Sequence, residues 1–176
     1  NLEKKDTLAT LMRMPDIVSA SNETVSEADW NIIKEQLDIG GNILPWKNLT
    51  TFSRILFERR VKQFNEAPDN DWVFFDRAIP DIVAYMSKDE LEIPSAYMLK
   101  LEECNYHPLV FIVPPWREIF KKDAERMEDY KTACEISEII TDTYVKLGYE
   151  VIILPKVSVK ERTSFILNKL GVKLKA

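Results

Sequence analysis

Three short runs in this chain are apolar without interruption: "WVFF" at 72–75, "LVFIV" at 109–113 and "VIIL" at 151–154. A strand with one wet face alternates apolar and polar residues, so unbroken runs of this length predict strands buried on both faces, the pattern of parallel sheets. A weaker run, "DIVSA" at 16–20, is a fourth candidate. Helical patterning fills the intervals, at about 3–14, 25–38, 48–66, 80–88, 95–104, 116–147 (broken once) and 158–170. Strands and helices that alternate in this way predict βαβ units, hence an α/β fold around a mainly parallel sheet.

The ends of these segments carry matching punctuation. "TVSE" (Thr24 to Glu27) and "SVKE" (Ser158 to Glu161) fit the capping box, in which hydroxyl and glutamate satisfy each other's backbone donors. Gly148 and Gly171 follow helical patterns and suit the left-handed residue that ends a helix, while Pro80 suits a first turn, where its missing N–H costs nothing. No internal repeat and no flexible linker stands out, so 1–176 reads as a single domain, long enough to bury a substantial core.

Composition narrows the class of function. With 45% hydrophobic and 30% charged residues, the composition is that of an ordinary globular protein. A net charge of -5 argues against nucleic acid as the main partner, since duplex binding relies on a concentrated basic face. No apolar stretch approaches the length of a membrane span, and the charged opening "NLEKKDTLATL" does not read as a secretory signal. Cys104 and Cys134 form no metal-type or redox-type pair, which fits reduced thiols in a cytoplasmic protein. His107 is the only histidine, so a zinc site or a Ser-His-Asp triad is disfavoured. The glycines are Gly40, Gly41, Gly148 and Gly171, which leaves no G-x-x-x-x-G-K-[ST] loop and no G-x-G-x-x-G turn.

Candidate chemistry gathers at strand ends, because open α/β sheets bind ligands beyond the carboxyl ends of their strands. Asp76 and Arg77 follow "WVFF" directly. A carboxylate there can hold magnesium, and an adjacent guanidinium can grip a phosphate through two hydrogen bonds. The alternative is that the pair caps the next helix and makes a surface ion pair. Asp81 can fix Arg77 or act as a first-turn acid on the helix dipole. After "LVFIVPP", the bases Arg117, Lys121, Lys122 and Arg126 recur near one helical face, where they can neutralise a triphosphate. Interleaved acids, Glu118, Asp123, Glu125 and Glu128, allow a solvated helix laced with ion pairs instead. Glu27 suits a general base and equally a capping glutamate. Trp30 and Trp46 can flank a planar substrate or fill the core, and together with Phe52 they are the hints to the acceptor pocket around helices 25–38 and 48–66.

The order of these blocks carries a resemblance. "IIKEQLDIGGNILPW", "VFFDRAIPDIVAY", "FIVPPWREIFKKDAERMED" and "YVKLGYEVIILPKVSVKERTSFIL" resemble successive segments of a bacterial P-loop group of predicted ATPases with an AAA-type ATPase domain. That group is similar to nicotinamide riboside kinases, deoxynucleoside kinases and thymidylate kinases. The likeness spans about residues 25 to 168, and "FFDR-x-x-x-D" followed by "PPW-x-x-x-[FY]-x-x-D-x-E-R" is its specific part. It implies a three-layer P-loop NTPase fold of nucleoside-kinase type, with ATP and magnesium as cofactors and a lid at about 114–131. It implies roles as well: Asp76 near magnesium and the attacking hydroxyl, Arg77 on a phosphate, Arg117, Lys121 and Arg126 over ATP, and Glu27 as base.

One departure stands out. In that group a first strand and a glycine-rich loop precede the helix seen here at about 3–14, and that strand lies mid-sheet between the "VFF" and "LVFIV" strands. Buried strand edges without partners cost about 1–3 kcal/mol per group, so the expectation is a native segment upstream of Asn1. The alternative is a degenerate relative that fills the slot with "DIVSA" or a partner's strand. The resulting expectation is an ATP- and magnesium-dependent phosphotransferase acting on a small or nucleoside-like hydroxyl compound, or an ATPase. The alternative is a catalytically inactive kinase-like scaffold. Nucleotide and small-molecule partners, no nucleic acid, no membrane and a homodimer option complete the reading.

Overall fold

The structure is a computed structural model that describes residues 27–67, 73–120 and 129–171, with the side chains of 27–30 excepted. The expected helix at 3–14, the "DIVSA" run and the Thr24 capping box lie outside the described residues. The described residues fall into two compact units, one within Ser19–Tyr106 and the other from His107 onward.

The first unit is built from helices. They are α1 (Glu27–Asp38), α2 (Leu49–Asn65), α3 (Ile79–Lys88) and α4 (Ser95–Glu103). Asn48 opens α2 by accepting from Thr51 N at 3.1 Å, satisfying one of the orphan donors of the first turn. Phe52, Leu56 and Arg60, four residues apart, fall on the buried face of α2, while the Arg54–Glu58 pair at 2.8 Å lies on its exposed side. α3 is the most buried helix of the unit: Ile79 to Ala84 and Met86 are all buried. The core joins Ile32, Phe52, Leu56, Ile82, Met86 and Tyr97, so each of the helices contributes to it. Phe57 stacks on Tyr97 with ring centroids 3.8 Å apart, fixing α4 against α2. The chain leaves α1 through Gly40, at φ +64, and Gly41, where a methyl group would overlap the Gln36 amide. That amide accepts from Ile43 N at 3.1 Å, which ties the turn back to the helix.

The second unit holds a βαβ arrangement. β1 (Leu109–Ile112) pairs in parallel with β2 (Glu150–Ile153), Leu109 opposite Glu150 and Ile112 opposite Ile153. Parallel neighbours need a crossover, and the chain between them supplies a 3₁₀ turn (Arg117–Ile119) and α5 (Tyr130–Lys146). Asp129 caps α5 by accepting from Thr132 N at 2.8 Å. Gly148, at φ +86, turns the chain into β2. α6 (Val159–Leu170) starts on the expected capping box, with Ser158 N donating to Glu161 at 3.1 Å, and ends at the left-handed Gly171. The Ser158 hydroxyl, which donates to the same carboxylate at 2.6 Å, and then the backbone N–H hold the Glu161 carboxyl below its usual range.

The parallel sheet is thus seen with two strands among the described residues, and a three-layer arrangement is not among the described features. The third expected strand needs correction. Val73 to Phe75 lie in no ladder among the described residues, and Trp72 is outside them. An apolar run reports burial, whereas a strand also needs a neighbour whose backbone groups are in register. Phe75 packs instead against Phe64 and Tyr106, at centroid distances of 6.2 and 5.5 Å. No described helix is long and apolar enough to cross a membrane.

Candidate functional site

The turn after "WVFF" is built from three consecutive backbone decisions. Asp76 is buried, at 9% exposure, although a carboxylate loses hydration there. Arg77 takes a left-handed backbone, φ +71, and is exposed. Ala78 is the N-cap of α3, and its N–H donates to Asp81 Oδ2 at 2.8 Å. This is half of a capping box, since alanine has no side-chain acceptor to return the bond. Asp81, itself buried, therefore serves as the first-turn acid. The cap falls on Ala78, so Asp76 and Arg77 stand before the helix and do not cap it.

A left-handed non-glycine residue costs about 1–2 kcal/mol and persists only where its surroundings over-determine it. Here the buried Asp76 on one side and the anchored Ala78 on the other fix the turn. Arg77 then reaches over Tyr85, its guanidinium carbon 5.5 Å from the ring centroid.

The second unit repeats the pairing of arginine with tyrosine. Arg117 is exposed in the 3₁₀ turn, and its guanidinium carbon lies 5.2 Å from the Tyr130 ring. Tyr130 also meets Phe120 edge-on at 5.3 Å, and its hydroxyl donates to the Pro115 carbonyl at 3.5 Å. The first residue of α5 thus binds both ends of the 115–120 segment. Desolvation, aided by the neighbouring Cys134, raises the Tyr130 phenol above its ordinary range, which keeps it a neutral donor.

The other expected residues divide as follows. Glu27 opens α1, but its side chain lies outside the described residues, as do those of Trp30 and all of Lys121, Lys122 and Arg126. Phe52 is core, whereas Trp46 is 54% exposed. His107 is exposed and accepts from Leu109 N through Nδ1 at 3.2 Å, a local backbone brace. No cluster of three or more metal-ligating side chains occurs among the described residues. Asp76 and Arg77 sit together in the first unit and Arg117 in the second.

Sequence reasoning missed Tyr85 and Tyr130. Tyr85 stands four residues after Asp81, the spacing that puts two side chains on one helix face, and that spacing was the available signal. Tyr130 had none, because its partners Pro115, Arg117 and Phe120 lie ten or more residues earlier, beyond any helical spacing.

Comparison with known proteins gives a family. Residues 7–162 match the family described as AAA domain. A shorter likeness, 35% identical over 57 residues, links the chain to the ATP-dependent Clp protease adapter protein ClpS of Salmonella paratyphi B, and equally to those of Salmonella newport and Salmonella heidelberg. That stretch is 32% of this chain and 50% of each relative, so the chain spans about half the length of the curated relatives it matches. No solved structure matches.

Proposed function

The chain belongs to the AAA domain family, and so to the nucleotide-binding P-loop proteins, and on that premise we propose that it is an ATP- and magnesium-dependent phosphotransferase for a small, nucleoside-like hydroxyl compound. The observation that carries the reading is the turn at Asp76 and Arg77: a buried carboxylate followed by an arginine held in a left-handed backbone. Strain of this kind is kept where a side chain must be aimed.

The residues suit the cofactors in part. Magnesium is commonly held through one or two carboxylates, with water and substrate phosphates completing its shell, so Asp76 suffices as its protein ligand. When bound, the ion neutralises charge on the phosphates. Arg77 offers further positive charge for a phosphate, while the backbone cradle of a glycine-rich loop is not encoded in these 176 residues.

In this reading Asp76 orients the acceptor hydroxyl and Glu27 takes its proton as general base. The acceptor oxygen forms its bond to the γ-phosphorus as the bond to ADP breaks. Arg77 stabilises charge that builds on the transferred group. Such catalysis is mostly positioning and electrostatics, which is why charged side chains carry it. The test is phosphate transfer from ATP to a panel of nucleosides and small alcohols, with Asp76→Asn beside the wild type. Turnover in the variant is expected to fall about a hundredfold or more. Equal turnover removes Asp76 from the mechanism.

A second reading is a binding protein that keeps the scaffold without the transfer step. It is favoured by the partial likeness to adapter proteins. Nucleotide binding without transfer to any acceptor, and without ATP hydrolysis, would select it.

A further inference from the structure

We infer that Tyr85 is a positioning residue for Arg77, holding its guanidinium where a phosphate oxygen is to be met; the inference rests on the proposed role of Arg77. An exposed arginine has many rotamers, and each one frozen on binding lowers affinity. Arg77 is exposed, yet its guanidinium is found 5.5 Å from the Tyr85 ring centroid, within the range of a cation–π contact. The ring stands on a firm base. Tyr85 is half-buried on α3, whose neighbouring residues Ile82 to Ala84 and Met86 are buried.

The two ends of the arginine are fixed by the same helix face. Asp81 and Tyr85 are one turn apart, so they lie on one side of α3. Asp81 anchors Ala78 N, and with it the left-handed turn that sets where the Arg77 side chain leaves the backbone. Tyr85 meets the far end of that side chain. An arginine, unlike a lysine, presents a planar fork of N–H donors that matches an oxyanion. The spacing D-R-x-x-x-D-x-x-x-Y therefore encodes a turn, an anchor and a platform in ten residues.

The test compares Tyr85→Phe, which keeps the ring, with Tyr85→Leu, which removes it, both checked for folding by circular dichroism. One readout is the rate at which phenylglyoxal modifies Arg77, followed by peptide mass spectrometry. The other is the affinity for inorganic pyrophosphate by titration calorimetry. Tyr85→Leu is expected to speed labelling at Arg77 and weaken pyrophosphate binding, each about two- to fivefold, the scale of an exposed cation–π contact. Tyr85→Phe is expected to change neither. Wild-type labelling in a folded Tyr85→Leu protein, or equal damage in Tyr85→Phe, would overturn the inference. An Arg77→Ala variant separates the two claims. If it binds pyrophosphate like the wild type, the anion role of Arg77 falls and with it the purpose assigned to Tyr85, even where the labelling difference stands.

Discussion

At the scale of single residues, Arg77 links conformation to chemistry most directly. Its φ of +71 is a backbone state that glycine enters freely and an L-residue enters at a cost. Were the position only a turn, glycine would serve it better. We expect Arg77→Gly to be more stable than Arg77→Ala by about 1 kcal/mol, because only the alanine keeps the strain. Denaturant titration of the two variants measures this, and an alanine variant at least as stable as the glycine one would contradict the strain argument. The cysteines offer a second residue-scale check. Burial pushes the Cys104 thiol above its ordinary value, and the side chain is 2% exposed. Cys134 is half-buried at the surface of α5. Ellman's reagent is expected to label Cys134 in the native protein and Cys104 only after unfolding. Equal rates would place Cys104 in an environment open to solvent.

At the scale of elements, the fold was legible where a local rule sufficed. α6 begins where Ser158 and Glu161 close their box and ends where Gly171 turns left-handed, and both were encoded within a few residues. α2 and α4 likewise lie within one residue of their expected bounds. The run at 72–75 behaved differently. Its four apolar residues state that the segment is covered, and Phe75 is covered by Phe64 and Tyr106, but no local signal states which backbone lies alongside. Helix contacts also make a pH prediction. Burial raises the phenol of Tyr97, where α4 packs on α2, and raises Cys104 and Tyr130 as well. Each raised acid holds its proton more firmly in the folded state, so the stability it contributes is present below its unfolded pKa. That stability is lost as pH rises through the folded value. Stability is therefore expected to decline from about pH 9 upward, and Tyr97→Phe is expected to lessen the decline above pH 10. Guanidinium melts across pH 8 to 11 measure it, and a decline unaltered by Tyr97→Phe would exclude that tyrosine as a cause.

At the scale of the whole molecule, the described residues give a helical unit and a βαβ unit, and the turn that carries the proposed chemistry, Asp76 and Arg77, lies in the first. The family was legible because its signal is the order of blocks, "FFDR" before "PPWREIF" before "YVKLGYEVIIL", and residues 7–162 match it as a whole. The candidate site was legible only as a set of residue types. Asp76 and Arg77 were found because an apolar run ended in charge. Their burial and backbone state, and the tyrosine platforms under both arginines, depend on packing between residues that no short window of sequence contains. Titration of magnesium ATP into the full natural protein and its Asp76→Asn variant tests the central claim, that this buried carboxylate is where metal and phosphate are held. Losing a charge-assisted contact is worth about 1.5–3 kcal/mol, so the account predicts about ten- to a hundredfold weaker binding in the variant. Equal affinity in the two proteins would contradict it.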